Sequence, residues 1–298
     1  MMLPLDKDLQ TAKMTLAEFY SIAKRVKEYT PNVLSNSMEK NGYTIYSSEI
    51  AGVKKYIRPI NNSLYIKEQA KFDSAYRLFQ ETLLKIKTSS ISTFSNDELW
   101  NIDSFLYTVQ QTIGVGLDLL VEPNSSRKHV GNRFEELIRV VFNEIGISNK
   151  RIVLSIPYKT DEGGKIYKCE NDLVLSNTGK VQSNSNNLSE NEIVVSVKTT
   201  SKDRMGKMFI DKILLEKFLQ HNQKVIGVFH NDVQRKKNND ISYTLVTGLF
   251  MVYTQFLTQV EGVYYLDPPA VAKKEPFNGY IKRFSELITK DLLLLFSS

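Results

Sequence analysis

The sequence predicts an α/β protein in which a mixed β-sheet is flanked by helices and follows an α-rich N-terminal region. Short β-branched or aliphatic runs at 151–157, 172–176, 192–198 and 224–230 read as strands. Stretches with apolar residues at helical spacing lie before and after the middle runs, at 134–145 and 205–220. The order helix, hairpin, helix, strand is that of a sheet covered by helices. The sheet is expected within residues 123–298 and the mainly helical region within 1–122.

Composition narrows the function. With 42% hydrophobic and 24% charged residues, the 298-residue chain can bury a substantial core as one large or two modest domains. Residues 1–13 lack the apolar core of a signal peptide, and no apolar run reaches the roughly 18 residues of a membrane span. A cytoplasmic protein with no membrane contact is therefore expected. Cys169 is the single cysteine and the three histidines stand apart at 129, 221 and 230, which excludes a disulfide scaffold and argues against zinc. A net charge of +6 and a pI near 9.1 fit a phosphate-rich partner, because Lys and Arg that neutralise phosphates release counterions.

In the N-terminal region, 16–23 and 72–86 repeat at helical spacing, and Ser95 to Glu98 is a cap for a helix running from Leu99 toward Val115. The Tyr- and Ile-rich stretch 43–66 offers short strands. This half carries no recognisable chemistry and reads as a packing or oligomerisation layer, with DNA contacts as the alternative. Pro123 to Ser126 marks a break. After it, Phe134, Leu137, Ile138, Val141, Phe142 and Ile145 form the inward face of a helix stopped by Gly146. Residues 182–191 form a polar loop. Met205, Met208, Phe209, Leu215, Phe218 and Leu219 are the expected core face of the next helix, and 224–230 is a buried strand. His129 and His230 read as packed or surface histidines, the Trp100 and Tyr107 region as packing, and 292–296 as core or subunit interface.

The polar loop is centred near residue 186. An antiparallel hairpin about that centre places residues whose numbers sum to about 370 opposite one another, and so sets Asp172 against Lys198. The period of two puts Glu192, Val194, Ser196 and Lys198 on one face. Asp172, Ser196 and Lys198 should then cluster at one end of the sheet. A solvated cross-strand pair, worth about 0.2–1 kcal/mol, is the plain alternative. Against it stand Glu135 and Glu136 on the preceding helix and Lys202-Asp203-Arg204 on the following turn. Carboxylates, a lysine and a basic cluster together describe metal-assisted phosphodiester hydrolysis. Mg²⁺ takes hard oxygen ligands and keeps several waters, so one or two protein carboxylates suffice.

The stretch resembles the PD-(D/E)xK nuclease superfamily, and within it the type II restriction endonucleases. Glu170-Asn171-Asp172 stands at the first motif position, with Asn where Pro is usual; Ser196-Val197-Lys198 stands at the second, with Ser where the acid is usual. One group of these enzymes, reading sites with a central CCGG, has a Ser-Val-Lys motif whose missing acid comes from the following helix, and "SVKTT" before a basic-Asp-basic cluster is similar to that group. The resemblance covers about 131–230 and implies Asp172 as principal metal ligand, Lys198 acting on the attacking water, Glu135 from "GNRFEELI" as a supporting acid, and Asp211 replacing the acid absent at Ser196, with Glu216 as second choice. It implies a PD-(D/E)xK-like core, Mg²⁺ as cofactor, double-stranded DNA as substrate cut to 5′-phosphates, and a homodimer or tetramer. Lys202, Asp203 and Arg204 are the expected DNA contacts; the cluster is one residue tighter than the group's and begins with Lys, so the target site need not be CCGG. Lys236 and Lys237, in a basic loop, offer phosphate contacts or a solvated turn. The rivals are a repair or structure-specific nuclease of the same superfamily and a non-enzymatic basic DNA-binding module.

Overall fold

The structure, a computed structural model, describes residues 3–50, 52–88, 93–202, 204–236 and 240–297; the expected contacts Asp203 and Lys237 lie outside the described residues. The chain opens with α1 (Leu5–Gln10) and α2 (Leu16–Tyr29), the latter started by a reciprocal capping box between Thr15 and Glu18. A small antiparallel sheet follows, with β1 (Leu34–Lys40), β2 (Tyr43–Ile50), β3 (Val53–Tyr56) and β4 (Ile60–Asn61). The expected short strands of 43–66 are present, and β1 precedes them. Next come α3 (Gln69–Thr88) and α4 (Asn96–Leu120), whose start is fixed by the Ser95–Glu98 capping box that the sequence signalled.

The break at Pro123 is the first turn of a helix. α5 runs Pro123–Glu144, longer at its start than the apolar spacing indicated. Proline at the first helical position needs no N–H and already has helical φ. The Glu122 carboxylate accepts from the N–H groups of Asn124 (2.9 Å) and Ser125 (3.1 Å) and completes the cap.

The two short strands expected at 151–157 and 172–176 belong to one long ribbon, β5 (Ser148–Thr160) and β6 (Gly163–Ser176), turning at Gly163 with φ +115°. Then follow β7 (Ile193–Thr200), α6 (Arg204–Leu219), β8 (Lys224–Asn231), the hairpin β9 (Val233–Arg235) and β10 (Ile241–Tyr243), α7 (Thr247–Phe256), β11 (Gly262–Asp267), β12 (Ile281–Arg283) and a helical stretch over 284–297. The main sheet has six strands in the order β12-β11-β8-β7-β6-β5; β5, β6 and β7 are antiparallel and β7, β8, β11 and β12 parallel. The polar loop 182–191 does have an anchor: buried Glu192 accepts from the N–H groups of Gln182 (2.6 Å) and Ser183 (3.0 Å) and from the Ser183 hydroxyl. Glu192 therefore holds the loop and takes no part in the polar face expected of it.

Each sheet face has its own core. Leu173, Leu175, Ile193, Val195 and Val197 join one cluster with Phe72, Phe105 and Phe134, so the helices before residue 123 and the sheet share a single hydrophobic core. On the opposite face Val174, Val194 and Val225 pack against Met205, Met208 and Phe209 of α6. Phe218 and Leu219 are only partly buried, and Lys212 is buried instead, its charge paired with Glu261 at 2.6 Å. Among the described residues no helix is long and apolar enough to cross a membrane.

Candidate active site

Two irregularities place the candidate groups. First, Leu173 pairs with Val195, Val174 with Val194 and Leu175 with Ile193, so numbers sum to 368 and Asp172 falls opposite Ser196, not Lys198. The offset of two keeps every side chain on its expected face, because the strand period is also two. Second, Lys150 pairs with Val174 and Ile152 with Asn171, which leaves one extra residue on β6 at 172–173. This β-bulge breaks the ladder at Asp172 and turns its carboxylate toward the end of β7.

There the Asp172 Oδ2 accepts from the Val197 N–H (2.9 Å) and from Lys198 Nζ (2.5 Å). Glu135, on the α5 face that overlies β7, brings its carboxylate to 3.6 Å from the same ammonium. Burial, then the negative charge of Asp172, raises the Glu135 pKa against the pull of Lys198. Two carboxylates and one lysine thus converge from a helix and two adjacent strands.

A cavity of about 160 Å³ opens beside them, lined by Asp172, Ser196, Lys198, Arg204, Lys207 and Asp211 among others. Asp211 faces it one helical turn after Lys207, and the two are ion-paired. Burial opposes the Lys207 charge, yet Asp211 holds its pKa above the usual value. Sequence reasoning missed Lys207, although its i,i+4 spacing from Asp211 was a legible signal. Glu216 points elsewhere: it lies 3.6 Å from Lys212 and is absent from the cavity wall. Glu136 pairs with Arg133 at 2.6 Å and anchors Lys13, away from the site. Lys202 and Lys236 are exposed, the first on the turn leading into α6 and the second beyond β9. His230 is buried and stacked on Tyr107 at 5.0 Å, so both are packing residues; burial pushes its imidazole down to about 3. Trp100 instead lies half exposed on a separate groove of about 670 Å³ beside α3, which brings no carboxylates together.

Comparison with solved structures identifies the architecture. A type IIP restriction endonuclease, Kpn2I, superposes over 95% of this chain and 91% of its own with a TM-score of 0.67 at 17% sequence identity. The fold is that of a restriction endonuclease. The restriction endonuclease PspGI, solved with substrate DNA, matches over 75% of this chain and 93% of its own with a TM-score of 0.39 at 11% identity. Neither the family models nor the curated proteins compared with the sequence gave a match.

In this restriction-endonuclease fold the donor set decides which ion would suit the site. Among the described residues no three His, Cys, Asp or Glu side chains gather closely enough to form a closed metal cage. Zinc, which takes three or four protein ligands, is a poor fit. Mg²⁺ asks less of the protein, since it keeps several waters and needs only one or two carboxylates such as Asp172. Asp172 keeps its second oxygen free of hydrogen bonds from the described residues, Glu135 lies 3.6 Å from Lys198, and Asp211 lines the cavity that Asp172 and Lys198 share.

Proposed function

We propose that this chain is a type II restriction endonuclease that hydrolyses phosphodiester bonds of double-stranded DNA at a short site, with Mg²⁺, leaving 5′-phosphates. The observation that carries this reading is the convergence of Asp172, Lys198 and Glu135 at the β6 bulge, on a fold shared with a restriction endonuclease. A cytoplasmic role, in a host whose own DNA must be protected, goes with it.

Asp172 would hold the ion, with Glu135 and Asp211 as supporting acids, Asp211 standing in for the acid that Ser196 lacks. Bound there, Mg²⁺ supplies charge to a phosphoryl oxygen and acidity to a coordinated water. The chain's own part is positional. Lys198 Nζ, steered by Asp172, orients the attacking water and offsets negative charge as the water oxygen bonds to phosphorus and the P–O3′ bond breaks. The 3′ oxygen leaves with a proton and the phosphate stays on the 5′ side. Arg204 on the cavity wall and exposed Lys202 and Lys236 would meet phosphates or base edges, as would Asp203 and Lys237.

A palindromic site calls for two copies. α7 offers a surface for this: Val246, Leu249, Val252, Phe256 and Leu257 are exposed, Phe256 at 82%, and residues 241–260 contain no Asp, Glu, Lys or Arg. Such a face can meet its own copy across a two-fold axis without like charges.

A plasmid digest with Mg²⁺ tests the reading. Discrete fragments with 5′-phosphate ends support it. A smear, or cutting confined to branched substrates, would instead indicate another nuclease of this fold, and DNA binding with intact plasmid a binding module.

A further inference from the structure

The turn between β7 and α6 carries Lys202 and Arg204, and a buried carboxylate outside the cavity holds it in place. Asp232 directly follows β8 and is 3% exposed. Its Oδ1 accepts from the Ser201 hydroxyl (2.9 Å), the Thr244 hydroxyl (2.8 Å) and the N–H groups of Thr244 (3.2 Å) and Leu245 (2.6 Å). The Ser201 and Thr244 hydroxyls also lie 2.8 Å apart. The Ser201 carbonyl in turn accepts from Arg204 N–H (3.1 Å) and Met205 N–H (2.8 Å), which opens α6.

The end of β7, the start of α6 and the base of the β9–β10 hairpin therefore meet at one carboxylate. None of the three side chains involved lines the catalytic cavity. A buried carboxylate is costly to desolvate and persists where several donors converge on it. Here the donors come from the segments that flank the DNA-contact candidates: Ser201 immediately precedes Lys202, and Val233 to Lys236 continue from Asp232. The opposite end of the same span is tied down by the Val197 N–H on Asp172.

We infer that Asp232 is a positioning residue for sequence recognition: through Ser201 and Thr244 it fixes the β7–α6 turn, so that Lys202 and Arg204 meet one register of base edges while Lys198 acts on the phosphate. The inference rests on the nuclease reading above and concerns discrimination between DNA sequences, a property that mere folding does not set.

The test compares binding, in Ca²⁺ without cleavage, to a duplex carrying the site mapped by the plasmid digest and to a scrambled duplex of equal length. Asp232→Asn, Ser201→Ala and Thr244→Val should each lower the preference for the site by at least about tenfold, the discrimination that one well-placed base contact supplies. Binding to the scrambled duplex should be unchanged, and Thr244→Ser, which keeps the hydroxyl, should retain the preference. Circular dichroism melting reports whether each variant is folded; should Asp232→Asn not fold, the Ser201 and Thr244 variants decide. Folded variants that keep the wild-type preference, or a Thr244→Ser that loses as much as Thr244→Val, overturn the inference. Unaltered protein that prefers no sequence would remove the restriction reading itself and this inference with it.

Discussion

At the scale of single residues, the site is a set of charges whose removal has distinguishable effects. Lys198→Ala should lower cleavage by roughly 10²–10⁴-fold and leave Ca²⁺-supported DNA binding nearly intact. Rapid cleavage by that variant would take the lysine out of the mechanism. Asp211→Ala should cost at least about 10²-fold, and Ser196→Glu combined with Asp211→Ser should restore part of it, because both positions line one cavity. A double variant no faster than Asp211→Ala would place the second acid elsewhere. Away from the site, Asp103 accepts from the Ser285 N–H (2.9 Å) and hydroxyl (2.7 Å) in a fully buried position, and burial pushes its pKa up to about 7. A carboxyl raised in the folded state stabilises below its unfolded value of 3.8, and that contribution is lost as pH rises through about 7. Asp103→Asn should therefore gain in melting temperature relative to wild type between pH 5 and pH 8; a constant difference would mean the group does not titrate in that range.

At the scale of elements, what the sequence made legible followed what local physics fixes. Periodicity and caps located α2, α4 and α6, and short β-branched or aliphatic runs located β7 and the buried β8, because each of these elements is specified by its own residues. The meeting of Asp172 with Lys198 was also legible, since a period of two survives a shift of two. Registers and bulges were not: the extra residue at 172–173 depends on pairing with β5, which no local pattern in β6 encodes. The start of α5 was missed for the same kind of reason. Proline was read as a breaker where Glu122 makes it a first turn. The same scale holds the test of assembly through α7. Phe256→Glu should convert a dimer to monomers in sedimentation and reduce cleavage of a palindromic site, whereas a wild-type protein that is monomeric at all concentrations would remove α7 from that role.

For the whole molecule, the decisive feature is the shared core that joins Phe72 and Phe105 to Leu173, Ile193 and Val195 behind β6 and β7. Local openings in proteins follow cooperative units, and residues packed into one cluster open together. The Val197 amide, which donates to Asp172, sits directly on that cluster. Its hydrogen exchange should therefore be as slow as that of amides in α4, and denaturant should speed the two in parallel. Exchange at Val197 that outpaces α4 would separate the two. If the two exchange together, the site owes its rigidity less to the loops around it than to aromatic residues a hundred positions upstream, and changes in that distant helical layer would be felt as changes in how accurately Asp172 and Lys198 are held.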